Sequence, residues 1–183
     1  INNIDFAQKL AGIDVRKKVR LRTYNGADSL CKLELKQKKR DLQHKQSLIL
    51  SKEDAKALSK GHYEVLTKYF PNSETAVKAY NIMRLGCYRP VVMIEYDRLA
   101  YQYPLYDTRV TLDMGIRSTE ANLNIFSSEV NYTPIMCETA VLEIKYSGKC
   151  MGFLKDALGQ FDLTQNSYSK YCSGRKVYYD FNY

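Results

Sequence analysis

No C-x-x-C pair occurs in this 183-residue chain, histidine is represented twice, and acidic residues are fewer than basic ones. There is also no apolar run near the roughly 18 residues that a membrane-spanning helix needs. Each shortage excludes something. The five cysteines, Cys31, Cys87, Cys137, Cys150 and Cys172, are scattered and odd in number, which gives neither a disulfide framework nor a zinc site and points to a reducing, cytoplasmic setting. His44 and His62 lack ligand spacing and read as surface or packing residues. Without a long apolar run or a signal-peptide pattern, no membrane crossing is expected in this stretch. The deficit of acid, 20 Asp and Glu against 28 Lys and Arg for a formal charge of +8, favours an anionic partner. Nucleic acid, an acidic membrane surface or a small polyanion such as a nucleotide or polyphosphate would each serve. No internal repeat or low-complexity segment is present, and 45% hydrophobic composition over this length suits one domain spanning 1–183. The chain begins at Ile1 without an entry signal, and reads as a piece whose true start lies upstream.

What is present is a regular exchange of periodicities. Phe6, Ala7 and Leu10 at helical spacing before Gly12 predict a short first helix. Val15 to Tyr24 and "LCKLELKQKK" from Leu30 alternate as strands across an Asn25-Gly26 turn, so a hairpin is expected. His44 to Leu50 reads as a third strand, and Ser51 with Asp54 resembles a capping box opening the helix "KEDAKALSKG". Helical pattern follows from His62 to Phe70, interrupted by Pro71, and from Ser73 to about Leu85, closed by Gly86. The second half predicts strands in "VVMIEYDRLAY", "RVTLDMGIRS", "ANLNIFS" and "AVLEIKYSG". Short helices are expected in "MGFLKDALGQFDL" and "SYSKYCSG", before the aromatic tail "VYYDFNY". Antiparallel strands with helices between them make an α+β arrangement.

The strands carry charge at i, i+2 opposite an apolar face. Arg20 and Arg22 point one way while Val19, Leu21 and Thr23 point the other. Glu34, Lys36 and Lys38 oppose Leu33, Leu35 and Gln37. Tyr96 and Arg98 lie opposite Glu95 and Asp97; Arg109, Thr111 and Asp113 lie opposite Val110 and Leu112; Glu143 and Lys145 lie opposite Leu142, Ile144 and Tyr146. A one-sided sheet with a wet polar face explains any single strand. Repetition over five strands, with basic residues concentrated among a few carboxylates, suits a closed barrel better. Its apolar exterior would pack on helices and its charged lumen would surround an anion. By alternation Lys36 and Lys38 fit the lumen, and Lys39 and Arg40 fall outside. The sixteen tyrosines are spread along the chain rather than set on one basic strand, so packing roles suit them better than base stacking.

In order along the chain, "RKKVRLRTYNG", "LELKQKK", "IEYDRLAY", "RVTLDMGIRS", "VLEIKYSG" and "SYSKYCSG" resemble the successive motifs of the VTC domain, the polyphosphate polymerase branch of the triphosphate tunnel metalloenzymes. The resemblance implies an antiparallel β-barrel forming a triphosphate tunnel with helices outside, in which the terminal phosphate of ATP joins a polyphosphate chain. It matches Arg20 and Arg22 to the phosphate-gripping R-x-R strand, Lys36 to the E-x-K strand, and Arg109 to R-[VI]-[ST]-x-D. Glu143 matches the metal-binding Glu of L-E-[VI]-K, for Mn²⁺ or Mg²⁺. Ser169 and Lys170 match F-S-K-[YF], with Tyr168 in place of Phe, and Lys38, Lys45 and Arg98 fill further basic positions. The family's first tunnel strand, with an E-x-K-Y-like motif, would precede "NNIDFAQKL". After Lys45 the chain has Gln46 and Ser47 where the family tends to show Glu and Arg. A membrane-protein partner at the cytosolic face is a further expectation from the resemblance.

Chemically, the arginines suit bidentate phosphate binding, the lysines supply point charges, and a hard cation on Glu143 would bridge carboxylate and phosphate. An ionised polyphosphate acceptor needs no general base, whereas a triphosphatase needs a positioned water. Glu34 is either a second metal ligand or, slightly favoured, the ion-pair partner of its basic neighbours. Three functions compete: an ATP-dependent polyphosphate polymerase, or a triphosphatase on the same site; a non-catalytic tunnel that binds polyphosphate; and, least favoured, a nucleic-acid binder, which would show a steep salt dependence.

Overall fold

A computed structural model describes residues 4–25, 29–40, 42–136 and 139–179. Cys137 and the last four residues of the aromatic tail lie outside them, as does Gly26 of the expected turn; the four described cysteines are free thiols. Contacts group the chain into two compact units, Ile1–Met93 with Ala121–Val130, and Ile94–Glu120 with Asn131–Tyr183. The architecture is mixed α+β with antiparallel sheets.

In the first unit, helix α1 (Ile4–Leu10) leads into strands β1 (Val15–Arg22), β2 (Leu30–Lys39) and β3 (Leu42–Ser51), ordered β1-β2-β3. Asn25 turns the first hairpin at φ 51, a left-handed value that asparagine tolerates. Lys39 pairs with Leu42, so the second hairpin turns in two residues, with Arg40 at φ 55. Helix α2 (Lys52–Ser59) is capped as expected, the Asp54 N–H donating to Ser51 Oγ at 3.1 Å. A 3₁₀ segment, Tyr63–Asn72, and helix α3 (Glu74–Leu85) follow, the latter capped by Ser73. The expected break at Pro71 does not occur, because 3₁₀ backbone accepts the φ that proline imposes. Cys31, Leu33 and Leu50 from the sheet pack on Leu58, Leu66 and Met83 to form the core. The central strand β2 is thereby buried on both faces, with Leu33, Leu35 and Glu34 each 1% exposed.

The segment "ANLNIFS" is not a strand, which corrects the sequence expectation. Two asparagines compete for the backbone: Asn122 Oδ1 accepts from the Asn124 N–H at 3.0 Å and Asn124 Oδ1 from the Phe126 N–H at 3.2 Å. These turns carry Phe126 onto the first unit's core.

The second unit contains β4 (Met93–Tyr103), β5 (Thr108–Thr119), the two-residue β6 (Thr133–Pro134) and β7 (Val141–Lys145), with β5 pairing to the other three. Helices α4 (Gly152–Leu158) and α5 (Lys170–Tyr179) complete it. On β5, Thr111 and Asp113 are buried and then Ile116 and Ser118 are. The alternation shifts by one residue at Gly115, which sits at φ 57. This is the signature of a β-bulge built on a left-handed glycine. It lets β5 place Asp113 against Arg98 and Arg117 against Glu95, two contacts whose spacings on β4 and β5 differ by one residue. Helix α5 continues past Gly174, where an added Cβ would lie 3.2 Å from Ser118 Cβ, so glycine permits the close approach of α5 to β5. Among the described residues no helix is long and apolar enough to cross a membrane.

Candidate functional site: two cation clusters on buried carboxylates

Antiparallel register decides which charges of the first sheet meet. Arg20 lies opposite Glu34, Arg22 opposite Lys32, and Arg16 opposite Lys38. Lys18, Lys36 and Lys45 form one row across the three strands. Since directly paired residues share a face, this whole polar face is basic, and Glu34 is its only described carboxylate. Arg20 Nε donates to Glu34 Oε2 at 2.8 Å, its Nη2 contacts the same oxygen, and Lys45 Nζ lies 2.9 Å from Oε1. Burial would raise the Glu34 carboxyl, but hydrogen bonds from Lys45 and Arg20 outweigh it and hold the pKa at about 2. Glu34 therefore serves as the ion-pair partner of basic neighbours on both adjoining strands. An open cavity is lined by Lys18, Arg20, Glu34 and Lys36. Arg22, further along, donates to the Tyr24 hydroxyl at 3.0 Å.

The second unit repeats the device with different parts. Asp113, with no exposed side-chain surface, accepts from Arg98 Nε at 2.5 Å and Nη2 at 2.7 Å and pairs with Lys170 Nζ at 2.5 Å. Burial again opposes ionisation, and Arg98 and Lys170 together overcome it, keeping the carboxyl below its ordinary range. Arg98 is correspondingly raised by its bond to Asp113. The Tyr96 ring lies 5.3 Å from the Arg98 guanidinium carbon and 5.0 Å from Lys170 Nζ, and Tyr168 lies 5.7 Å from the same ammonium. Ser169 Oγ accepts from the Cys172 N–H at 3.4 Å and so caps α5 just before Lys170.

The remaining expected residues lie on the β5–β7 pair, where Arg109 opposes Lys145 and Thr111 opposes Glu143. Glu143 is 44% exposed and pairs with Lys145 at 3.1 Å. Arg98 also feels its charge. Thus Arg20, Arg22, Lys36, Lys38 and Lys45 share one face in the first unit, while Arg98 and Lys170 meet on Asp113 in the second. Arg109 and Glu143 stand on neighbouring strands, and Ser169 stands at the start of α5 next to Lys170. Sequence reasoning missed Asp113 as the hub; the available signal was an aspartate at i+4 from Arg109 on the same strand face. Among the described residues no three potential metal-ligating side chains gather. Glu143 offers one half-exposed carboxylate on a cationic face. That donor set fits Mg²⁺ or Mn²⁺ carried on phosphate oxygens, not a cation held in a protein cage.

The fold is an α+β arrangement of antiparallel sheets in which two buried carboxylates each gather an arginine and a lysine. The VTC domain family model matches residues 2–179, nearly the whole chain, so the chain belongs to the VTC domain family. Membership implies a polyphosphate-related function, and the family is associated with polyphosphate polymerases. Comparison with curated proteins finds no match.

Proposed function

We propose that the chain is a metal-dependent polyphosphate polymerase that moves the terminal phosphate of ATP onto a polyphosphate chain. The closed antiparallel tunnel expected of the family is part of this reading, as are a cytoplasmic setting and a membrane-protein partner. The observation that carries it is the Lys18–Lys36–Lys45 row beside Arg20 and Arg22. Set together across three strands, these ammonium and guanidinium groups present several positive charges in one place, which suits a multiply charged phosphate chain. Arg20, Arg22 and Arg109 would orient phosphate oxygens through their planar donors, and Lys36, Lys38, Lys45, Arg98 and Lys170 would neutralise charge along the chain. Glu143 would hold the cation, which when bound supplies charge neutralisation between carboxylate and phosphate. Phosphoryl transfer asks chiefly for such positioning.

A second reading, a tunnel that binds polyanions without catalysis, is favoured by the pairing of Glu143 with Lys145. Incubation of the protein with ATP and Mn²⁺ or Mg²⁺ separates the readings. Polymer on a gel that disappears with Glu143→Ala is expected. Free phosphate without polymer would instead make the protein a triphosphatase. Neither product, with tripolyphosphate still bound, would leave the binding module.

A further inference from the structure

The open face of the first sheet changes character along its length. Register sets it out in rows: Lys18–Lys36–Lys45, then Arg20–Glu34–Ser47, then Arg22–Lys32–Ile49. Alternation adds Leu30, opposite Ser51, to the same face. Cations crowd one end, and carbon surface gathers at the other, where Ile49 is 51%, Leu30 55% and Tyr24 56% exposed. Apolar side chains scattered singly over a surface are ordinary, whereas a group of them beside a charged site marks a place for a ligand.

Arg22 fixes where the Tyr24 ring stands. Its Nη1 donates to the Tyr24 hydroxyl at 3.0 Å, and its guanidinium carbon lies 5.3 Å from the ring centroid. Tyr24 therefore stands beside Arg22 on the open face, just past the end of β1. At the rise of a β-strand this is about 13 Å from the Arg20 row. A ligand covering that span meets cations at one end and an aromatic ring with aliphatic neighbours at the other. A bare polyphosphate uses only the first; a nucleoside triphosphate uses both. We propose that Tyr24 is the stacking platform for the base of a nucleoside triphosphate whose phosphates lie on the arginine and lysine rows, with Leu30 and Ile49 as the apolar floor beside it. The inference rests on the phosphate-binding reading of this face given above and adds the place of the base. Every base has a π-face, so such a platform favours nucleotides over bare polyphosphate without choosing among bases.

The test is calorimetric titration of the wild-type protein, Tyr24→Ala and Tyr24→Phe with Mg²⁺-ATP and, separately, with Mg²⁺-tripolyphosphate. Tyr24→Ala is expected to weaken ATP binding about tenfold and to change tripolyphosphate binding by less than about twofold. Tyr24→Phe keeps the ring and loses the hydroxyl that Arg22 bonds, so its ATP affinity should stay near that of the wild type. Equal losses for both ligands would overturn the inference, because Tyr24 would then act only by positioning Arg22. An ATP affinity that Tyr24→Ala leaves unchanged would overturn it too. If tripolyphosphate binds and ATP binding is indifferent to Tyr24, the base site alone fails; if the wild-type protein binds neither ligand, the phosphate-binding reading fails and takes this inference with it.

Discussion

Glu34 in the first unit and Asp113 in the second are each buried in mid-strand and each hold one arginine and one lysine, but the cations reach them by different routes. Arg20 and Lys45 are cross-strand neighbours of Glu34 within a sheet of two successive hairpins, and both stay substantially exposed, Lys45 at 49%. Arg98 comes from β4 and Lys170 from the start of α5, so Asp113 ties a distant helix to the sheet and packs both cations against tyrosine rings. The first cluster is local and open to ligand. The second is non-local and largely desolvated, so its carboxylate is more important to folding.

Removing each carboxylate tests that difference most strongly. Asp113→Ala leaves Arg98 and Lys170 facing one another without a countercharge, and urea unfolding should show a loss of about 3 kcal/mol. Glu34→Gln should lose less, about 2 kcal/mol, because Arg20 and Lys45 can turn to water. Acid unfolding sharpens the point. The Glu34 carboxyl titrates near 2 in the fold against 4.5 ordinarily, so its contribution is complete above pH 4.5 and drains away as pH falls toward 2. Glu34→Gln should flatten that part of the pH–stability curve, and an unaltered curve would show the pair contributes nothing.

Ligand binding should reverse the ranking of the two units. Arg20→Ala, on the open face, should weaken tripolyphosphate binding about tenfold or more and lower the melting temperature less than Asp113→Ala does, because Lys45 still pairs with the buried Glu34. The smallest effect is expected at the exposed Glu143–Lys145 pair, where Lys145→Ala should change stability by less than about 0.5 kcal/mol in the same unfolding assay. A large loss there would place β7 in a more buried setting than its exposure indicates.

Much of this was legible beforehand. Period-two alternation located β1, β2, β3, β4, β5 and β7, and Ser51 and Ser73 marked helix starts through their hydroxyls. The failures have definite causes. Asn122 and Asn124 satisfied backbone N–H groups with side-chain oxygens and defeated an apparent strand. Proline fitted a 3₁₀ segment without breaking it. Gly115 hid a bulge, so the alternation read for Arg109 to Asp113 does not extend past it.

The basic face of the first sheet was determined by the sequence itself, because short hairpins bring Arg20, Glu34 and Lys45 into register through turn length and alternation alone. The tertiary structure decided the second cluster: that Asp113, not Glu143, is the carboxylate at its centre, and that Lys170 reaches it. Contacts between residues 57 positions apart, as Asp113 and Lys170 are, depend on how a helix packs back onto a sheet, and no local periodicity encodes that packing.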